Sequence, residues 1–209
     1  MKVLKEKEKI KFILTTLEGL YPEPEIPLDH ENNFTFLVAV MLSAQSTDKK
    51  VNEITPSLFK IANTAEKMIG VKTEEIQRLI KQIGLAPTKS KNIKKMSYQL
   101  LEKHNGNVPN NFEDLENLAG VGHKTASVIM SQVFNQPAFP VDTHIHRLAK
   151  RWGLSDGKSV TKTEKDLKKI FDKSLWNKLH LQIIFYGREY CQARKAPCNC
   201  RICEKTRYT

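Results

Sequence analysis

Two short stretches carry the residue types from which a reaction could be built. They are Leu118-Ala119-Gly120-Val121-Gly122-His123-Lys124-Thr125 and Val141-Asp142-Thr143-His144-Ile145-His146-Arg147. In the first, two glycines permit a sharp backbone turn and leave no side chain to block a close approach. A helix starting directly behind such a turn offers free N–H groups and the positive end of its dipole to a phosphate. Contacts of that kind hold a nucleic-acid backbone without reading its sequence. Lys124 follows the turn, where its cation meets the same positive dipole end, a poor place for a lysine without a function. That field, with desolvation, favours the neutral amine a nucleophile needs. The alternatives are a plain helical hairpin and a lysine that is solvated or bound to phosphate. Asp142 precedes a helical pattern and suits an N-cap. One of its oxygens can cap while the other serves catalysis.

His144 and His146 form an Asp-x-His-x-His pattern that suggests a metal. On a helix, however, residues two apart point about 200° away from each other and do not share one ion. Packing or hydrogen bonding is the expected use of at least one of them. The cysteines differ. Cys191, Cys198, Cys200 and Cys203 are the only four in the chain, spaced Cys-x6-Cys-x-Cys-x2-Cys. Clustering of this kind in a protein read as cytoplasmic points to a metal rather than disulfides. Four thiolates suit either zinc or an iron–sulfur cluster; four free thiols in a tail are the remaining possibility. Arg194, Lys195 and Arg201 stand among them, so a metal-held loop there would present cations to DNA.

The elements that must position these residues are helical. Apolar residues recur at helical spacing almost throughout, and strand alternation is nearly absent. Ile10, Ile13, Leu14, Leu17 and Leu20 form a first helix that stops at Tyr21-Pro22. Asn33 opens a second, apolar on nearly all sides through Leu42 and so expected at the centre of a core. A third runs from Thr47 or Asp48 toward Phe59, with a boundary expected near Pro56. Capping boxes are read at Asn63–Glu66, Asn110–Glu113 and Thr161–Glu164. The stripe Ile76, Leu79, Ile80, Ile83 is expected to end at a Gly84 C-cap. Further helices cover Ile93 to Asn105, His123 to Phe134, Asp142 to Trp152 and Trp176 to Tyr186. About ten helices and an all-α fold result.

Composition narrows the partners. The 209 residues suit one domain with a smaller companion, or one large domain. The net charge of +11 suggests a polyanion, most often nucleic acid. The longest apolar run, Phe36–Leu42, falls far short of the ~20 residues that cross a bilayer. The N-terminal stretch is charged and has no signal-peptide core. A cytoplasmic protein without a membrane partner is expected.

Taken together, these residues resemble the endonuclease III family of DNA glycosylases. The resemblance rests on Met41 through Asp48, Gly84-Leu85 through Lys91, His104 through Pro109, Leu118 through Ala126, Val141 through His144, and Gly187-Arg188. It implies a helix-hairpin-helix glycosylase fold of two helical domains with the active-site cleft between them. One is expected at residues 22–134, with the helix-hairpin-helix at about 112–134; the other combines 1–21 with 135–209 and ends in the cysteine loop 191–203. It further implies base-excision repair: a monomer that flips an oxidised pyrimidine out of double-stranded DNA, releases it and cuts at the abasic site. By this resemblance Lys124 is the amine that forms the Schiff base and Asp142 the catalytic carboxylate. Gln45 fills the gap left by the flipped base and Leu85 is an apolar wedge. Gly120, Val121, Gly122, His123, Thr125 and His144 complete the DNA-binding set. The cysteines would hold a 4Fe–4S cluster, although the family spacing is Cys-x6-Cys-x2-Cys-x5-Cys and the last two intervals here are shorter; zinc or no metal are the alternatives. In a bacterium such a protein would sit at the nucleoid.

Two other functions compete. A mismatch adenine glycosylase would lack a lysine at 124 and carry a carboxylate near Gln45-Ser46, and neither holds here. A non-catalytic helix-hairpin-helix protein would not need the Lys124 and Asp142 pair.

Overall fold

The computed structural model describes residues 5–194 and 198–206. Lys195, one of the cations expected beside the cysteines, lies outside them. Among the described residues there are α-helices and no strands. In chain order they are α1 (Glu6–Leu20), α2 (Asn33–Ser43), α3 (Asp48–Ile61), α4 (Ala65–Gly70), α5 (Thr73–Leu79), α6 (Ala86–His104), α7 (Phe112–Glu116), α8 (His123–Gln132), α9 (Thr143–Arg151), α10 (Val160–Ile170), α11 (Trp176–Glu189) and α12 (Arg201–Thr206). A short 3-10 turn, Lys173–Leu175, precedes α11. No described helix is long and apolar enough to cross a membrane.

The chain divides into two compact units. One is the contiguous segment Ile26–Phe134; the other joins the two ends of the chain, up to Glu25 and from Asn135. In the contiguous unit, α2 is the hub. Every residue from Phe34 to Leu42 is buried, because its apolar side chains face α3, α6 and α8 on different sides. The buried residues of this unit also include Val51, Leu58, Met68, Ile76, Ile93, Met96, Leu100, Ala126 and Ile129. In the other unit, Ile13 and Leu17 of α1 join Ile145, Leu148 and Trp152 of α9, Leu167 of α10, and Ile183 and Tyr186 of α11. Cys191, Cys198 and Cys203 belong to this same buried cluster.

Several helix ends sit one or two residues from where the capping patterns place them. Asn32 caps α2 in place of Asn33, its side chain accepting from Thr35 N–H at 3.0 Å. Thr64, Asn111 and Ser159 cap α4, α7 and α10. In each case a neighbouring polar residue satisfies the first-turn N–H equally well, so local chemistry does not fix the boundary. Pro56 lies within α3 without interrupting it. The stripe toward Ile83 ends its helix early, at Leu79, and the buried Ile80 and Ile83 complete the core from non-helical backbone. Helix α11 runs through Gly187 to Glu189, and α12 is an element without a sequence signal of its own.

Candidate functional site

The stretch around Lys124 is a hairpin joining α7 to α8. Val121 N–H donates to Leu118 O at 3.1 Å and closes the turn. Gly120 sits at φ +81°, a left-handed conformation that glycine adopts without strain. A Cβ there would meet Met41 Cε at 2.7 Å and Asn92 Nδ2 at 2.8 Å, so the turn is pressed against α2 and α6. Gln99 of α6 pins it with both ends of its amide. Its Oε1 accepts from Ala119 N–H at 2.8 Å, and its Nε2 donates to Asn117 O at 3.0 Å. No sequence pattern singled out Gln99.

Gly122 has another task. It is the N-cap of α8, it offers no side-chain cap, and a Cβ on it would meet nothing within 4 Å. The first intrahelical bond runs from Ala126 N–H to Gly122 O at 3.0 Å. The N–H groups of His123, Lys124 and Thr125 therefore precede the helical ladder, the usual setting for an anion at a helix start. Lys124 is exposed on this first turn, and Thr125 is half-buried beside it. His123 is exposed, stacks on Phe112 with ring centroids 5.7 Å apart, and places Nδ1 2.7 Å from Glu116 Oε1. The Val121 side chain is buried and its N–H is engaged in the turn, so its role in the hairpin is to shape it.

Two loops of the same unit carry Gln45 and Leu85. Both adopt left-handed backbone, with φ of 59° and 63°. For residues other than glycine and asparagine this is a costly conformation, held only where the surroundings impose it. Leu85 is 54% exposed, so an apolar side chain is pushed into solvent from a strained backbone. The loops are neighbours: a Cβ on Gly84 would lie 3.4 Å from Gln45 O. Lys89 ties them. This lysine of α6 is 6% exposed, and its Nζ donates to Leu42 O at 2.9 Å and Ala44 O at 2.5 Å. It thus binds the carbonyl end of α2 directly before Gln45, and burial lowers its pKa. A buried lysine near a loop leaves no trace in sequence periodicity, and in the sequence Lys89 stands out only as a member of the Gly84 to Lys91 motif.

In the terminal unit, Asp142 caps α9. Its Oδ1 accepts from Ile145 N–H at 2.8 Å. The two histidines go to different partners: His146 Nδ1 lies 2.9 Å from Thr163 Oγ1, and His144 Nδ1 lies 3.2 Å from Arg147 Nη2. They point apart, as residues two positions apart on a helix do.

The four cysteines converge. Their Sγ atoms all lie within 4.8 Å of one another, with Cys191 and Cys203 3.7 Å apart, and they can hold a metal. Among the described residues no other His, Cys, Asp or Glu group is so arranged. Cys200 leads directly into α12 and Cys203 lies in its first turn. Arg151 Nη1 donates to Cys191 Sγ at 3.2 Å and to Gln192 O at 3.0 Å, while its Nη2 reaches Ala193 O at 3.2 Å. Arg147 Nη2 donates to Cys191 O at 3.0 Å. Hydrogen bonds with Cys191 and Cys203 press the Cys200 thiol far below its ordinary range, and hydrogen bonds with Cys191 and then Cys200 push the Cys203 thiol up. Four thiolates capping the four separate irons of a cubane would stand roughly 6 Å apart. The set in this chain is tighter than that.

Known proteins resemble this chain in sequence and in fold. The profile of the HhH-GPD superfamily base excision DNA repair proteins matches residues 38–173. The chain is similar to Endonuclease III of Haemophilus influenzae, 43% identical over 192 residues covering 92% of this chain and 91% of that protein. It is also similar to an endonuclease III in a non-covalent DNA complex, with TM-score 0.91, 39% identity, and 98% and 96% of the two chains covered. An endonuclease III trapped as a covalent DNA intermediate gives TM-score 0.88 at 39% identity, with 97% and 99% covered.

Proposed function

Since this chain belongs to the HhH-GPD superfamily of base excision DNA repair proteins, we propose that it is a bifunctional DNA N-glycosylase and AP lyase acting on oxidised pyrimidines in duplex DNA. One observation carries the reading. An exposed primary amine, Lys124, stands on the first turn of α8 directly behind a glycine hairpin, in a chain similar to an endonuclease III caught as a covalent DNA intermediate.

The first-turn N–H groups of α8 behind Gly122 grip a phosphate on the strand that carries the lesion. The damaged base leaves the stack, which costs less for a damaged base than for a sound one. Leu85 wedges into the stack and Gln45 fills the vacated place, its amide facing the widowed base. His123, Thr125 and His144 add DNA contacts, and Val121 holds the hairpin's shape. The neutral Lys124 amine attacks C1′; the C1′–N bond breaks and the base departs, protonated. Ring opening at O4′ leaves C1′ as an imine to Nζ. Loss of a C2′ proton then breaks the C3′–O bond, cutting the strand 3′ to the lesion, and water returns the lysine. Asp142 stabilises the cationic sugar and helps move the proton. Water takes the ammonium proton of Lys124 before attack, and the attacking nitrogen then gives up one proton to the departing base and one to O4′ as the imine forms.

The resemblance brings with it a 4Fe–4S cluster on Cys191, Cys198, Cys200 and Cys203, a single zinc ion being the other group that four thiolates suit. No catalytic step above uses either. The enzyme acts as a monomer in the cytoplasm, where its DNA lies. Borohydride reduction tests the proposal. Incubated with a duplex holding an oxidised pyrimidine or an abasic site, the protein should be trapped as a covalent adduct. Absence of adduct with both duplexes excludes the lyase.

A further inference from the structure

We infer that the four C-terminal cysteines bind one zinc ion in a closed tetrahedral site, in place of the four-iron cluster implied by resemblance. Two independent observations carry this, the sulfur separations and the ligand spacing. Four thiolates at ~2.3 Å from one tetrahedral ion stand about 3.8 Å from each other. Here Cys191 and Cys203 are 3.7 Å apart and no pair exceeds 4.8 Å. Thiolates on a cubane each cap a different corner, and the larger group holds them roughly 6 Å apart. Fitting one here would require the four side chains to move outward together. Three of them, Cys191, Cys198 and Cys203, are buried within the core formed with Trp152, Tyr186 and Ile202, and a close-packed interior resists such expansion.

The spacing agrees. The intervals Cys198-x-Cys200-x2-Cys203 are shorter than the Cys-x2-Cys-x5-Cys of the four-iron family, and Cys200-x2-Cys203 also fits the chelating pair of a structural zinc site, set at the start of α12. Cys198 stands two residues before that pair, with Asn199 between, and Cys191 closes the set from the far side of the loop. The Arg151 guanidinium on Cys191 Sγ offsets the net negative charge of a zinc tetrathiolate. Nothing is left over for a substrate or water in a site of four protein ligands, which marks it as structural. Zinc is also redox-inert, so the centre would hold the chain end in place without carrying electrons.

The full-length protein, made in medium with both iron and zinc and purified without air, decides the matter by composition. We expect one zinc per chain, no acid-labile sulfide and no brown iron–sulfur absorption. An organomercurial should release that zinc to a chelating dye, and cobalt substituted for it should show the visible bands of a tetrahedral tetrathiolate. Cys200→Ser should lower zinc retention; if that variant fails to fold, mercurial release from the wild-type chain still answers. Iron with acid-labile sulfide, iron alone, or a metal-free protein that takes up no added zinc overturns the inference. These readouts do not depend on borohydride trapping. An iron-loaded active lyase would remove zinc and leave the enzyme reading, and a zinc protein that traps no DNA would do the reverse.

Discussion

At the residue scale, catalytic and structural duties can be separated by substitution. Lys124→Gln removes the amine that must become the imine, so trapping should fall to background while DNA binding persists in a gel-shift assay. Asp142 both caps α9 and is assigned to catalysis. Asparagine caps about as well as aspartate, whereas alanine costs about 1 kcal/mol. Asp142→Asn should therefore leave the melting temperature nearly unchanged and slow single-turnover base release by about 10²–10⁴-fold; a near-normal rate would remove Asp142 from the mechanism. The two hairpin glycines should also part company. Gly120→Ala places a methyl against Met41 and Asn92 at a positive φ, a strain of about 1–2 kcal/mol before the clash is added, and should lower thermal stability. Gly122→Ala meets no protein atom. It should lose only the ~1 kcal/mol or less by which alanine is a poorer N-cap than glycine, less than Gly120→Ala, yet bind abasic duplex about tenfold more weakly, since its methyl stands where a phosphate would approach.

At the element scale, the informative contact is between α6 and the end of α2. Lys89 satisfies the carbonyls of Leu42 and Ala44 from a buried position. Lys89→Met keeps the length and apolar stem of the side chain but leaves those acceptors unsatisfied, a cost of about 1–3 kcal/mol. The strained conformations of Gln45 and Leu85 depend on these surroundings. The variant should therefore lose stability and also flip bases more slowly, as followed by 2-aminopurine fluorescence beside an abasic site. Normal stability together with normal flipping would show that the clamp is incidental. Sequence periodicity located most of these helices but misplaced their ends. Near Asn32 and Asn33, or Ser159 and Thr161, adjacent residues offer equivalent caps, and the packing of the helix body decides between them. Helix α12 is too short to show periodicity; it forms because Ile202 and Cys203 are drawn into a core built by α1, α9 and α11.

At the scale of the molecule, the net charge of +11 makes DNA affinity a function of salt. Binding of several phosphates should give a log–log slope of about −3 or steeper between low and physiological salt. Fluorescence anisotropy with an abasic duplex measures it, and a flat profile would place the excess charge away from DNA.

The sequence by itself determined the all-helical class, the glycine hairpin, the lysine behind it, the capping aspartate and the existence of a thiol cluster. Each is a local pattern, set by residue type and short spacing. It also marked Gln45 and Leu85 through resemblance alone, since neither residue type announces a strained loop. What only the tertiary structure decided is long-range. Lys89 reaches back to carbonyls more than forty positions earlier, and Gln99 pins the hairpin from a different helix. The separation of the four sulfurs likewise depends on how the chain end packs beneath Trp152 and Tyr186. These arrangements arise from contacts between residues distant along the chain, and periodicity and spacing carry no information about them.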